Sequence, residues 1–169
     1  MEKFMKSKHI APIYGNKENT CYTKGNIGDK KVWVSRATAV CIVAQFDKAI
    51  LIGQRGEKLN HAGKWCLPCG YVDYDETIYE AASRELYEEM GIYVPPAKFE
   101  EVGFYEVMSD PTRDELQNIT FHFHVGLTSM FVNIDNKEVV SHSWITKNMV
   151  DDFEFAFNHP ERILKRLDK

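Results

Sequence analysis

GYVDYDETIYEAASRELYEEMGI, residues 70–92, is the stretch from which the fold can be read. Asp75 or Thr77 offers an N-cap, the apolar positions recur at helical spacing to about Met90, and Gly91 is placed to end the helix. Tyr79, Ala82, Leu86 and Met90 form a stripe that can face a core. Beside it lie Glu85, Glu88 and Glu89, which share an arc of ~100° on a helix turning about 100° per residue. Like charges at i, i+3 and i+4 disfavour a helix by about 0.2–0.5 kcal/mol per pair. Three converging carboxylates therefore want a counter-charge. A hard divalent ion such as Mg²⁺, Mn²⁺ or Ca²⁺ suits their oxygens. A solvated acidic face is the ordinary alternative, and the helix by itself does not choose.

Upstream, Val32–Ala44 is rich in β-branched residues, and Phe46-Asp47-Lys48 reads as a turn into Ala49–Gly53, a hairpin. Gln54–Tyr74 reads as a loop carrying Gly56, Gly63, Pro68 and Gly70. Downstream, strands are expected at Phe99–Val107, Ile119–Leu127 and Val139–Ile145, with a polar loop at Ser109–Asn118. Pro160 opens a last helix to about Leu167. Strands with one strong central helix and a late helix suit a mixed sheet with helices on its faces. Alternation at Ile119–Val125 puts Phe121 and Phe123 on one face and His122 and His124 on the other, read as half-solvated rather than as a metal pair.

The chain's 169 residues suit one compact domain, and 44% hydrophobic with 27% charged residues is ordinary for a folded soluble protein. Residues 1–30 read as an N-terminal arm available to add an edge strand or pack on a partner, and residues 31–169 as the domain proper. The formal charge of −4 gives no nucleic-acid footprint and no basic membrane patch, so an anionic substrate needs local cations. No apolar run reaches the ~20 residues of a bilayer span. Met1–Asn19 lacks the apolar centre of a secretory signal, and four cysteines without such a signal imply a reduced, cytoplasmic setting.

Read backward from the three glutamates, the spacing is Gly70, five residues, Glu76, seven residues, then Arg84-Glu85-Leu86-Tyr87-Glu88-Glu89-Met90-Gly91-Ile92. This resembles the box of the Nudix (MutT-like) hydrolase family at every defined position. Leu51-Ile52-Gly53-Gln54-Arg55 and Trp65-Cys66-Leu67-Pro68 resemble the strand and entry loop that precede it. The likeness runs from about Val34 to Leu164. It implies an α/β/α sandwich with a mixed β-sheet and a loop–helix–loop catalytic motif. It further implies Mg²⁺, with Mn²⁺ able to substitute, held by Glu85, Glu88 and Glu89 against a pyrophosphate. By the same resemblance, Gly70, Glu76, Arg84 and Gly91 support the site, with the arginine orienting the carboxylates. Glu138, six residues before Trp144, resembles a distal metal ligand, although a surface carboxylate fits it equally. Arg55 stands where some members contact phosphate; an exposed loop arginine is the other reading.

Such enzymes cleave P–O–P bonds with an activated water, because charge grows on the leaving phosphate and a cation neutralises it. Glu85 or Glu89 can take the proton. The partner expected is a small nucleotide, neither nucleic acid nor membrane, with a homodimer left open. Asp110-Pro111-Thr112-Arg113-Asp114 and Ala156-Phe157-Asn158-His159 resemble elements of members acting on ADP-ribose, favouring a nucleoside diphosphate linked to another moiety (ADP-ribose, NADH or similar). The alternatives are a (deoxy)nucleoside triphosphate pyrophosphohydrolase and a non-catalytic nucleotide-binding sensor. Cys66-Leu67-Pro68-Cys69 resembles a redox pair, but thiolate chemistry wants its first cysteine at a helix N-terminus, and loop residues follow here. Hydrolysis that survives replacement of both cysteines by serine excludes the redox reading. Cys69 also stands where the family has glycine, so a left-handed backbone there would be strained.

Overall fold

The computed structural model describes residues 20–23, 30–33, 37–110, 113–134, 138–157, 159–160 and 163. They fall into two compact units, one from the chain up to Ala39 with Tyr105–Thr120, the other from Val40–Phe104 with Phe121 onward. In the first unit β1 (Thr20–Thr23) pairs antiparallel with β2 (Lys30–Trp33), Thr20 opposite Trp33.

The second unit is built on β3 (Ala37–Phe46) and β4 (Ala49–Arg55), antiparallel partners joined through Asp47 and Lys48. Asp47 adopts φ 51°, a left-handed conformation that aspartate tolerates better than most residues. β5 (Trp65–Cys66) and β9 (Val139–Ile145) also pair antiparallel with β4, and β6 (Cys69–Tyr71) pairs with β3. The strand order β5-β4-β3-β8-β7 is completed by β7 (Glu100–Asp110) and β8 (Arg113–Gly126), of which residues 100–104 and 121–126 belong to this unit. An isolated parallel bridge between Trp65 and Phe155 makes the pairing mixed.

Both faces of the central strands are buried, which is why β4 opens as an unbroken apolar run rather than alternating with polar residues. Val40, Ile42, Ala44 and Leu51 point to one side, where Ala81, Ala82, Leu86 and Met90 of helix α1 (Ile78–Met90) cover them. Cys41, Val43, Ile50 and Ile52 point to the other, against Leu67, Val150 and Ile163. Val150 belongs to the 3₁₀ turn Lys147–Asp152, and the backbone at Ile163 is helical, so helical segments lie on both faces of the sheet. This is an α/β/α sandwich. The rest of the expected last helix lies outside the described residues. No helix among the described residues is long and apolar enough to cross a membrane.

α1 is defined at both ends by local chemistry. Of the two N-cap candidates Thr77 serves: its hydroxyl accepts from the Glu80 N–H at 3.2 Å, and the Glu80 carboxylate accepts from the Thr77 N–H at 2.9 Å. Gly91 ends the helix at φ 66°, its N–H reaching the Tyr87 carbonyl at 2.8 Å.

Three sequence expectations are corrected, the first being that Gln54–Tyr74 is not loop throughout, since β5 and β6 lie within it. Within the expected polar loop Ser109–Asn118, Ser109 and Asp110 belong to β7 and residues 113–118 to β8, and residues 111–112 lie outside the described residues. Hydrogen-bonded neighbouring strands satisfy each other's backbone groups whatever their side chains, so polarity is a poor guide to a loop there. His122 and His124 are buried rather than half-solvated, at 1% and 8% exposure. The His124 Nε2 lies 3.0 Å from the Gln45 amide oxygen, and burial lowers the His122 pKa to about 4, so it is buried as a neutral ring.

A Cβ at position 91 would meet the Asn133 carbonyl oxygen far inside van der Waals contact, in a conformation that already disfavours side chains. Gly91→Ala is expected to lower stability by more than ~1 kcal/mol, against about 1 kcal/mol for Thr77→Ala, read from urea midpoints at unchanged m.

Candidate active site

The site is assembled where β6 passes the polar face of α1. Gly70 lies in β6, and a Cβ there would collide with the Glu85 carboxylate. Glycine is required by close approach, not by a left-handed backbone, since Gly70 is not among the residues with positive φ. Cys69 is not among them either, so cysteine in place of the family's glycine carries no backbone strain. Its N–H instead donates to Glu89 Oε2 at 3.1 Å, tying strand to helix.

Arg84 organises the acidic face. Its Nε and Nη2 form a two-pronged fork on Glu76, at 2.8 and 2.9 Å. Nη2 also donates to the Tyr71 carbonyl at 2.8 Å, and Nη1 to Glu85 Oε1 at 2.7 Å and Glu88 Oε2 at 3.0 Å. The Asp73 N–H adds a bond to Glu76 at 3.0 Å. Glu76 is therefore held below the usual carboxylate range, first by Arg84, and Arg84 is held more firmly charged, first by Glu76. One guanidinium thus joins the loop before the helix to two turns of the helix itself.

The three helix glutamates are not equivalent. Glu85 and Glu89 are buried at 8% and 6% exposure, whereas the Glu88 side chain is 57% exposed. Burial raises the Glu85 pKa against the pull of Arg84. Burial also raises that of Glu89 well above its usual value, with Cys66 and Glu85 adding to it. A wet acidic face would show neither effect. Glu138 is exposed, yet its charge raises the Glu85 pKa further, so it belongs to the same electrostatic neighbourhood.

Arg55, the last residue of β4, donates from Nε to the Asn60 carbonyl at 2.8 Å and from Nη1 to Cys66 Sγ at 3.7 Å. Its charge opposes, without cancelling, the burial-driven rise of the Glu89 pKa. The guanidinium carbon lies 5.1 Å from the centre of the Phe157 ring. Two residues further on, buried His159 accepts the Leu67 N–H on Nδ1 at 2.9 Å. That bond assigns the proton to Nε2, which lies 3.8 Å from Cys41 Sγ, and burial keeps the ring neutral with a pKa lowered to about 4. The Phe157 and His159 contacts were not read from the sequence as part of a site; their signal was only the Ala156-Phe157-Asn158-His159 likeness. The thiols of Cys66 and Cys69 are both pushed well up, Cys66 first by its bond to Cys69 and Cys69 first by its bond to Cys41, with burial contributing to each. That is the reverse of what thiolate chemistry requires.

Among the described residues no three His, Cys, Asp or Glu side chains converge as a ready metal cage, and Arg84 engages Glu85 and Glu88. The donor set nevertheless fits a hard divalent ion: oxygens only, two of the carboxylates buried with raised proton affinity, and a glycine clearing their approach.

The raised Glu89 pKa has a defined thermodynamic sign. The unfolded carboxyl ionises near 4.3, so stability is lost as pH rises toward the folded value and the buried group must ionise. Glu89→Gln is therefore expected to raise the melting temperature of metal-stripped protein at pH 8, by ~2–4 °C for each kcal/mol relieved. Mg²⁺ is expected to raise the melting temperature of wild type, and the same substitution to shrink that rise. Thermal scans with EDTA and with Mg²⁺ measure both.

Residues 34–167 match the family model of the NUDIX domain. Phosphatase NudJ of Escherichia coli is 39% identical over 62 residues, 37% of this chain and 39% of NudJ, so the match spans about two fifths of the length of that curated relative. The crystal structure of a MutT protein from Methanosarcina mazei Go1 superposes with a TM-score of 0.65 at 26% identity, covering 79% of this chain and 93% of that one. The NUDIX domain of Shewanella oneidensis NrtR, solved with ADP ribose, gives 0.68 at 20% identity over 80% of this chain and 89% of its own. Fold, box and family match agree: the chain belongs to the NUDIX family.

Proposed function

We propose that this chain is a pyrophosphohydrolase that cleaves the P–O–P bridge of a nucleoside diphosphate carrying a second moiety, such as ADP-ribose or NADH. The observation that carries this reading is the pair of buried carboxylates, Glu85 and Glu89, on a face organised by the Glu76–Arg84 fork. Glu85, Glu88, Glu89 and Glu138 would hold Mg²⁺ or Mn²⁺. Such an ion, when bound, neutralises charge on the bridging and leaving oxygens and acidifies the attacking water.

The protein's own groups do the rest. Arg84 fixes Glu85 and Glu88 so that little reorganisation is needed when substrate arrives. We assign the proton-accepting role to Glu89, whose burial raises its proton affinity toward the range a general base needs near neutral pH. Arg55 supplies a cation for the diphosphate at the end of β4. The preference for a linked diphosphate over a nucleoside triphosphate rests on the Ala156-Phe157-Asn158-His159 element, whose Phe157 ring lies against Arg55. The ADP ribose bound by the NrtR domain is a compound of this class, in a relative whose likeness speaks for the fold. A cytoplasmic setting is kept as part of the proposal, and a homodimer is left open.

A product-mass screen of nucleotide derivatives with Mg²⁺ tests it. ADP-ribose is expected to give AMP and ribose 5-phosphate, and Glu89→Gln to lose at least ~100-fold in kcat, the scale of one general-base contribution. Turnover confined to nucleoside triphosphates selects the alternative, and no turnover of any diphosphate sinks the enzymatic reading.

A further inference from the structure

The segment after Phe153 does more than close the sheet. The Trp65 N–H donates to the Glu154 carbonyl at 2.9 Å, the Ala156 N–H to the Trp65 carbonyl at 2.8 Å, and the Leu67 N–H to His159 at 2.9 Å. Held on both sides, Phe157 takes φ 63°, a left-handed conformation that a bulky residue rarely adopts and that persists only where the surroundings impose it. Phe153 and Phe155 pack on the hydrophobic core beneath, whereas Phe157 is not among the residues packed there. Its ring meets three other partners. His61, itself left-handed at φ 57°, lies 5.2 Å away edge-on, His159 lies 5.3 Å away, and the Arg55 guanidinium carbon lies 5.1 Å from its centre.

Arg55 is thereby restrained twice. The Asn60 carbonyl takes Nε, and the aromatic ring covers the guanidinium, which removes most of the rotamers a free arginine samples. Among the described residues Arg55 has no carboxylate partner. Its Nη1 reaches only the Cys66 sulfur, at 3.7 Å, and a thiol is a weak acceptor. With Nε taken by the Asn60 carbonyl, the guanidinium is restrained, and beyond that carbonyl its acceptor among the described residues is the weak Cys66 sulfur, with the buried Glu89 close enough to feel its charge. We propose that Phe157 is a positioning residue that aims the Arg55 guanidinium at the diphosphate of the substrate, on the strength of its ring lying against that guanidinium in a conformation the chain adopts at a cost. The inference rests on the diphosphate reading above. It predicts that the imposed geometry of Phe157 serves ligand affinity through Arg55.

The test is a double-mutant cycle on the full chain, read by calorimetric titration with ADP in Mg²⁺ and by KM and kcat for the diphosphate that the enzyme turns over. Phe157→Leu keeps bulk and loses the ring; it should weaken ADP binding and raise KM about three- to ten-fold, the size of one cation–π contact, with kcat within about two-fold. Phe157→Tyr should behave as wild type, and Phe157→Met replaces the leucine variant if that one fails to fold. In an Arg55→Gln background the same ring loss should cost nothing further. An equal loss in both backgrounds overturns the proposal by making Phe157 merely structural, and so does ADP binding by Arg55→Gln at wild-type strength. Absence of all hydrolysis with the binding cycle intact sinks the enzymatic reading and leaves the positioning role standing. Wild type that does not bind ADP overturns the positioning proposal alone, because turnover of a diphosphate decides the enzymatic reading separately.

Discussion

The site depends on how one guanidinium distributes its donors. Arg84 gives two bonds to Glu76, one to Glu85, one to Glu88 and one to a backbone carbonyl in β6. The planar fork is what makes this work: a lysine could neutralise one carboxylate but could not span a loop and two helical turns in fixed directions. Because Glu76 precedes the capping box and Glu88 lies in the last full turn of α1, the same interaction sets the entry of the helix and the direction of its carboxylates.

The opposite force comes from burial. Glu85 and Glu89 sit almost as deep as the apolar residues beside them, and both hold protons more tightly than free glutamate. A neutral side chain of similar shape would fit this place with less penalty, so the penalty is a property of the site and not of the packing. It is maintained by strong apolar anchoring on the neighbouring stripe. Leu86 and Met90 are each fully buried, worth about 1.5–3 kcal/mol apiece, and sheet strands occupy the space below them. The fold thus holds a costly arrangement in place with contacts that take no part in it.

Reading the sequence succeeded where the governing interactions were local. The helix with its two ends, the β3–β4 hairpin and the strand at Val139–Ile145 follow from caps, turn residues and periodicity within a few positions. It failed where polarity was taken as a sign of exposure. Ser109, Asp110 and residues 113–118 are strand despite their polar composition, because backbone bonding does not consult the side chains. His122 and His124 alternate correctly with Phe121 and Phe123, but the face they point to is covered by other parts of the chain. Periodicity predicts sidedness; it does not tell which sides are wet.

The sequence by itself determined that Glu85, Glu88 and Glu89 share one face of a capped helix, since spacing along a helix is a matter of local geometry. It also determined the family, because the box from Gly70 to Ile92 is contiguous. Only the tertiary structure decided that two of those glutamates are buried and the third is not, that Cys69 takes a glycine's place without strain, and that Phe157 meets Arg55. Each of these depends on segments distant in the chain being brought into contact. Such contacts are selected by the burial of the whole core, a sum over many residues that no short pattern carries.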